Sequence, residues 1–344
     1  MTTQVKTDGF AFVEFVSSQP VELIELFERL GFRLRGRSAH GMVLMTQGTA
    51  AFIVNGNRNA FQQQHGASVR AIGIRVDDAR VALEQALAGG ARIASPEREG
   101  AFVTDVPTIL GIGDSLVYFV DTDFREAFHL PVEPPNVPAG DAHIVAVDHT
   151  SNIVRPDNLD RWADFYRDNF GFVEKQYLEV KGHRSGMRAR SMVSPCGRVS
   201  IPVAAAAHDK PGVLNQNDEF IRDYGGEGIQ HIALLSVDIE DTIDRLTGAG
   251  IEFMAAPSQT YYGGIDERLP GHGLDVNRLA GRGILVDGTG SQRILLQRFT
   301  RRQIGPVFFE IIERRGEDGF GEGNFKALFE SQERDQQERG SIQS

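Results

Sequence analysis

The chain has 344 residues, more than one hydrophobic core usually serves, so its length predicts two domains. Hydrophobic residues make up 41% and charged residues 24%, which excludes a disordered chain, a collagen-like repeat and a coiled coil. The formal net charge of −11 argues against a nucleic acid partner, because an acidic surface repels phosphate groups.

The sequence lacks the patterns expected for membrane insertion, for a signal peptide and for disulfide bonding. No run approaches the roughly 18 apolar residues of a membrane span, so no membrane partner is expected. Residues 1–8 lack the apolar core of a signal peptide. The single cysteine, Cys196, excludes a disulfide within the chain and a zinc site built from thiolates. We therefore expect a cytoplasmic protein.

Strand and helix periodicities alternate along the first part of the chain. In chain order, the pattern predicts a strand at 10–16, a helix at 21–30, strands near 42–45, 51–54 and 69–76, and a helix at 79–87. Asp77 and Asp78 are good N-caps for the last of these helices, and Gly89 and Gly90 end it.

The same order of elements returns in the second part of the chain. The pattern predicts strands at 144–153 and 229–237 and helices at 159–169 and 239–246. Each half contains a strand, a Val-Asp pair, a helix and a turn of small residues, which is typical of a duplicated module of the type βαβββ. Four prolines crowd residues 131–140 and mark the expected linker. We therefore predict an N-terminal domain at 1–135 and a C-terminal domain at 141–344.

Three ligand-type side chains stand alone within apolar strands of the second half: His149, His231 and Glu310. Alignment of the two halves places Arg70 opposite His231, so the first half lacks the imidazole. Two histidines and one carboxylate form the facial triad of non-haem iron(II) enzymes. The same set also suits a hydrolytic zinc, and spacing does not separate the two metals. A lone strand histidine is more often a structural residue, whereas a buried, unpaired glutamate is costly.

Four long motifs then connect the chain to a known family. They are Gly-Glu-Gly-Ile-Gln-His at 226–231, Leu-Leu-Gln-Arg-Phe-Thr at 295–300, Gly-Pro-Val-Phe-Phe-Glu at 305–310 and Gly-Phe-Gly-Glu-Gly-Asn-Phe-Lys-Ala-Leu-Phe-Glu-Ser at 319–331. In these motifs the chain closely resembles the 4-hydroxyphenylpyruvate dioxygenase family of the vicinal-oxygen-chelate superfamily, and the resemblance covers essentially the whole chain. It implies an α+β fold of two tandem vicinal-oxygen-chelate domains, each built of paired βαβββ modules. It further implies open barrel-like sheets, a first domain without metal and a C-terminal helix that closes the active site.

The resemblance also implies roles for individual residues. Iron(II) would be held by His149, His231 and Glu310. The catalytic residues would be Gln230, Gln297, Phe320 and Asn324. The substrate-binding positions would be Ala189, Pro202, Ala204, Gln216, Phe299, Phe308, Phe325 and Leu328. For the aromatic residues the alternative is ordinary core packing.

The activity implied is oxidative decarboxylation of 4-hydroxyphenylpyruvate by O2, with ring hydroxylation and side-chain migration to homogentisate in tyrosine catabolism. The 2-oxo acid and O2 would be the partners, and a homo-oligomer is expected from the family. Ala189 and Ala204 depart from it, because a serine and an asparagine usually stand there. This departure keeps open a 4-hydroxymandelate synthase or an enzyme that prefers a less polar 2-oxo acid, unless Ser191 or Ser200 compensates. A non-catalytic binding module is the remaining alternative.

Overall fold

Two sheets with the same strand order form the frame of the protein, as seen in a computed structural model that describes residues 5–94, 106–130, 143–181, 186–207, 215–321 and 323–324. The first sheet contains β1 (Thr7–Val16), β2 (Arg33–Arg37), β3 (Val43–Gln47), β4 (Ala50–Asn55), β5 (Ser68–Val76), β6 (Arg92–Ile93), β7 (Thr108–Leu110) and β8 (Leu116–Val120). The second contains β9 (Ile144–Ile153), β10 (Val173–Lys181), β11 (Gly186–Val193), β12 (Ser200–Ala207), β13 (Gly228–Ser236), β14 (Leu285–Gly290), β15 (Arg293–Phe299) and β16 (Phe308–Arg315).

Helices cover the sheets and connect their strands. The α-helices are α1 (Pro20–Arg29), α2 (Ala60–His65), α3 (Ala79–Ala88), α4 (Leu159–Phe170), α5 (Gln216–Tyr224), α6 (Ile239–Gly248), α7 (Gln259–Gly263), α8 (Ile265–Arg268) and α9 (Val276–Arg282). Short 3-10 helices lie at Ile112–Asp114, Phe124–Ala127 and Pro156–Asn158. Within the described part of the chain, no helix is both long enough and apolar enough to cross a membrane.

The strand orders confirm the predicted duplication. The first sheet runs β2-β3-β4-β1-β5-β8-β7-β6, and the second runs β10-β11-β12-β9-β13-β16-β15-β14. Each half joins two βαβββ modules through an antiparallel pair of central strands, β1 with β5 and β9 with β13. The edge strands β2 and β6 lie at opposite ends of their sheet, so the sheet stays open. The α+β architecture expected from the sequence is therefore correct.

Matching caps begin the equivalent helices of the two halves. Asp78 accepts a hydrogen bond from the Val81 amide at 2.9 Å, and Asp238 accepts one from the Asp241 amide at 3.0 Å. These bonds satisfy amides that have no partner inside the helix. The two helices therefore start at equivalent points of their modules, although in the first half the cap is the residue after the Val-Asp pair.

One hydrophobic core runs through both halves. The ring of Phe309, on β16, lies 6.0–6.3 Å from the rings of Phe15, Phe27 and Phe52 in the first half. Such aromatic contacts stabilise a core beyond the area that they bury. All strands of the first sheet fall within residues 7–120 and all strands of the second within 144–315. The domain limits of 1–135 and 141–344 agree with this division but stay predictions, since the expected linker lies outside the described residues.

Candidate metal centre and substrate cavity

Three adjacent central strands of the second sheet bring the candidate ligands together. Ala233 on β13 is paired with His149 on one side and with Glu310 on the other, and His231 lies two residues before it. The His149 Nε2 atom lies 3.2 Å from Glu310 Oε2, and His231 Nε2 lies 3.6 Å from the same oxygen. All three side chains are buried, and their candidate ligand atoms lie within 4.8 Å of one another. The strands therefore assemble the predicted cluster.

A buried ion pair orients His149. The Asp148 carboxylate contacts His149 Nδ1 at 2.8 Å, and Arg314 donates to both of its oxygens at 2.7 and 2.8 Å. Burial alone would raise the pKa of Asp148, but Arg314 and His149 hold it well below its usual range. Burial opposes the charging of His149, but Glu310 and Asp148 raise its pKa to about 9. The Nδ1 contact leaves Nε2 facing Glu310, as a metal ligand requires.

His231 and Glu310 are held by different means. Burial, and then the charge of His149, lowers the pKa of His231 well below its usual value, so its imidazole is neutral. The ring of Phe308 stacks on it with centroids 4.9 Å apart. Gln297 donates to Glu310 Oε1 at 2.9 Å, which leaves Oε2 for the imidazoles. Two nitrogen donors and one carboxylate, each fixed by a neighbour, fit a divalent transition metal.

A hydrogen-bonded chain extends from this cluster towards the C-terminal segment. Gln297 accepts a bond from Asn324 Nδ2 at 2.8 Å, and the Tyr261 hydroxyl contacts Asn324 Oδ1 at 2.5 Å. Tyr261 also accepts a bond from the Val286 amide at 2.8 Å. The chain Glu310–Gln297–Asn324–Tyr261 therefore links the metal cluster to the last residues that the structure describes.

A cavity of about 670 Å³, counting its open mouth, lies in front of the cluster. Besides the three candidate ligands, its described lining comprises Ser151, Ile153, Met187, Ala189, Pro202, Ala204, Gln216, Asn217, Gln230, Gln297, Phe299, Phe320, Gly321 and Asn324.

Most of the predicted pocket residues thus line one cavity. Phe308 is not among the described lining residues, since it stacks on His231 instead. The predictions for Phe325 and Leu328, and most of the predicted closing helix, lie outside the described residues. Neither Ser191 nor Ser200 is among the described residues that line the cavity.

A β-bulge lets consecutive residues face the same cavity. Gln230 and His231 both line it, although neighbours in a regular strand point to opposite faces. The register of β13 against β9 shifts between Ile229 and His231, which turns the strand locally. This irregularity aims Gln230 Oε1 at His231 Nδ1, with the two atoms 3.4 Å apart.

Sequence reasoning missed Asp148, Arg314, Tyr261 and Asn217 as parts of the site. The adjacency of Asp148 to His149 was an available signal, as was Arg314 at the end of the strand that carries Glu310. Within the described ranges, no second group of three potential ligands occurs. The internal alignment was one residue out: the strand and helix that start at Ser68 and Ala79 correspond to those that start at Gly228 and Ile239, so the counterpart of His231 is Ala71. Arg70 precedes it and lies buried against the Phe61 ring, with its guanidinium carbon 4.6 Å from the centroid.

The repeated open sheets and the His-His-Glu cluster define a metal-binding member of the vicinal-oxygen-chelate class. The family profile described as "Hydroxyphenylpyruvate dioxygenase, HPPD, N-terminal" matches residues 2–130. The profile "Glyoxalase/Bleomycin resistance protein/Dioxygenase superfamily" matches residues 146–269.

Proteins of similar sequence identify the family within this class. The chain is 40% identical to a 4-hydroxyphenylpyruvate dioxygenase of Legionella pneumophila (strain Corby), over 97% of this chain and 96% of that protein. It is 41% identical to hemolysin VllY of Vibrio vulnificus, over 98% of this chain and 97% of that protein. The chain belongs to the 4-hydroxyphenylpyruvate dioxygenase family, and it is a dioxygenase of that type.

A solved structure supports the fold alone. A mutant of 4-hydroxymandelate synthase from Streptomyces coelicolor superposes with a TM-score of 0.80 at 22% sequence identity. The match covers 96% of this chain and 99% of that one.

Proposed function

We propose that the chain is an iron(II)-dependent dioxygenase that converts 4-hydroxyphenylpyruvate and O2 to homogentisate and CO2. The observation that carries the proposal is the buried cluster of His149, His231 and Glu310 at one end of a largely apolar cavity. Family membership favours iron over the hydrolytic zinc that the same donors would suit. A ligand set that is complete argues against the non-catalytic binding module.

The three side chains would hold the iron, and their neighbours would keep them in place. Bound iron(II) supplies positions for the 2-oxo acid and O2 together with the redox chemistry. Asp148 fixes the His149 ring, and Gln297 turns one oxygen of Glu310 towards the imidazoles. Phe320 lies edge-on to His149 with ring centroids 5.7 Å apart and helps to exclude water. The substrate provides its own 2-oxo acid, so turnover needs no added 2-oxoglutarate.

The amides of the cavity are proposed to bind the polar parts of the substrate. Gln230, Gln297 and Asn324 lie at the metal end, and Gln216 lies on the first turn of α5. The apolar residues Pro202 and Phe299 would contact the ring and keep the site dry. The expected homo-oligomer, the cytoplasmic location and the place in tyrosine catabolism stay predictions.

Oxygen uptake by iron-loaded protein, with the products identified by mass spectrometry, tests the proposal. We expect equal consumption of O2 and 4-hydroxyphenylpyruvate, release of CO2 and formation of homogentisate. The variants His231→Ala and Glu310→Ala should lose both iron and turnover. His40→Ala, which changes an exposed histidine, should keep both. Iron retention in both ligand variants would contradict the metal assignment, and 4-hydroxymandelate as product would contradict the proposed outcome.

A further inference from the structure

The end of the cavity that lies far from the metal cluster has an apolar floor. His149, Ser151 and Ile153 alternate along β9 and all line the cavity. Ile153 is paired with Ala204, which is paired in turn with Ala189. Ile153 lies four positions after His149 on the strand, a distance of about 13 Å. If the floor alone determined specificity, the site would favour a ring without a polar substituent.

The first turn of α5 covers this end of the cavity. The Asn215 side chain caps the helix by accepting a bond from the Asn217 amide at 2.8 Å. The same side chain donates to the Gly186 carbonyl at 2.5 Å, immediately before Met187, which lines the cavity. The two bonds tie the start of α5 to the start of β11. Gln216 and Asn217 therefore meet the cavity beside its apolar floor.

Two amide atoms at this position have no partner. Gln216 is 6% exposed and Asn217 is 3% exposed, and both line the cavity. Within the described part of the chain, neither Gln216 Oε1 nor Asn217 Nδ2 makes a hydrogen bond. Buried polar atoms in native proteins are nearly always paired, so a cavity ligand that donates to Gln216 Oε1 and accepts from Asn217 Nδ2 would satisfy both atoms. The ligand must both donate and accept a hydrogen bond.

We propose that Asn217 is a specificity-determining residue that selects a hydroxylated ring. Its Nδ2 atom donates a hydrogen bond to the hydroxyl at the far end of an aryl 2-oxo acid. Gln216 Oε1 accepts a hydrogen bond from the same hydroxyl. A phenol satisfies both atoms, whereas an unsubstituted ring buries both without a partner. Asn217 thus replaces hydrogen-bonding groups that the alanines of the floor do not provide. The inference rests on the proposed function and reverses the expected preference for a less polar substrate.

Binding measurements on a matched ligand pair test the inference. Calorimetry on the iron-loaded protein without oxygen gives dissociation constants for 4-hydroxyphenylpyruvate and phenylpyruvate, which differ by one hydroxyl. We expect the wild type to bind the hydroxylated ligand more tightly, and Asn217→Leu to reduce this preference about tenfold or more. Asn217→Met removes the donor without adding a strong acceptor and should act in the same direction. Arg222→Leu changes an exposed side chain of the same helix that does not line the cavity, and it should leave the preference unchanged.

A thermal melt of the ligand-free protein separates this role from a structural one. Asn217→Leu removes an orphaned buried polar atom, so this variant should melt at or above the temperature of the wild type. An equal preference in the wild type and both Asn217 variants, with dioxygenase activity intact, would overturn the inference and leave the proposed function standing. Failure of the wild type to bind either ligand would overturn both. A lower melting temperature with an unchanged preference would show that Asn217 serves the fold.

Discussion

Removal of the Arg314 guanidinium should expose how strongly the metal cluster depends on a buried ion pair. Arg314 makes two bonds to Asp148 and two more, at 3.0 and 2.7 Å, to the carbonyls of Glu317 and Gly319. In Arg314→Met the Asp148 carboxylate, whose side chain is 9% exposed, would lose both bonds to the guanidinium and keep only its contact with His149. Breaking a buried pair on one side costs about 3–5 kcal/mol. We expect a loss of this size in the free energy of unfolding.

Urea denaturation of the metal-free protein at neutral pH measures this loss. The neighbouring variant Arg315→Met is the control, since it removes an ion pair with Glu313 from an arginine that is 46% exposed. The Glu313 side chain is only 10% exposed, but its arginine partner lies largely in solvent, so we expect a smaller loss in Arg315→Met than in Arg314→Met. The double variant Arg314→Met with Asp148→Asn removes both charges and should recover part of the stability.

The single variant Arg314→Met should also weaken metal binding. Without Arg314, the carboxylate that orients His149 loses its anchor, and loss of such a support lowers metal affinity about 10- to 100-fold. Competition with a chelator measures this change. If Arg314→Met costs no more stability than Arg315→Met and binds iron with unchanged affinity, the orienting role assigned to the ion pair is refuted.

Three further predictions test other parts of the fold. Burial raises the pKa of Glu14 to about 7, above its value of 4.5 when exposed, so rising pH destabilises the wild type. In urea titrations, the free energy of unfolding of Glu14→Gln relative to the wild type should therefore rise by about 2–3 kcal/mol from pH 5 to pH 8. A difference that stays constant with pH would contradict this. Tyr261→Phe should speed hydrogen exchange of the Asn324 amide about two- to tenfold, because the bond from the Tyr261 hydroxyl to the Asn324 side chain is lost, whereas Tyr177→Phe, at an exposed tyrosine, should not. Gly113→Ala, at φ +63° and with a Cβ only 2.0 Å from a carbonyl oxygen of the second half, should lower stability by more than about 1 kcal/mol, whereas Gly248→Ala has open space and should not.

The metal cluster and the repeated modules were predictable because each leaves a local mark on the sequence. Glu310 stands between Phe309 and Ile311, and the motifs at 226–231 and 305–310 carry the family resemblance that implied the ligand set. An aspartate ahead of an apolar stripe identifies the start of a helix. Both signals depend on residues that are close together in the chain. They can therefore be recognised without knowledge of the tertiary structure.

The supporting residues could not be found in the same way. Tyr261 reaches Asn324 across 63 residues, and nothing near either side chain marks the contact. Strand alternation would place Gln230 and His231 on opposite faces, because the bulge that reorients them depends on pairing with β9. Asn217 is an ordinary polar residue at a helix start until the burial of its amide is known. These features arise only when distant segments pack.

The packing of Phe309 against the first half links that half to the position of Glu310. Phe309 immediately precedes Glu310, and its ring packs among Phe15, Phe27 and Phe52. The first half thus forms the back wall of the strand that presents the carboxylate. The described residues of the first half contain no ligand cluster, but its aromatic rings help to hold that carboxylate in place through their contacts with Phe309. A C-terminal half expressed alone would expose Phe309 to water, so the strand that carries Glu310 depends on the first half for its packing.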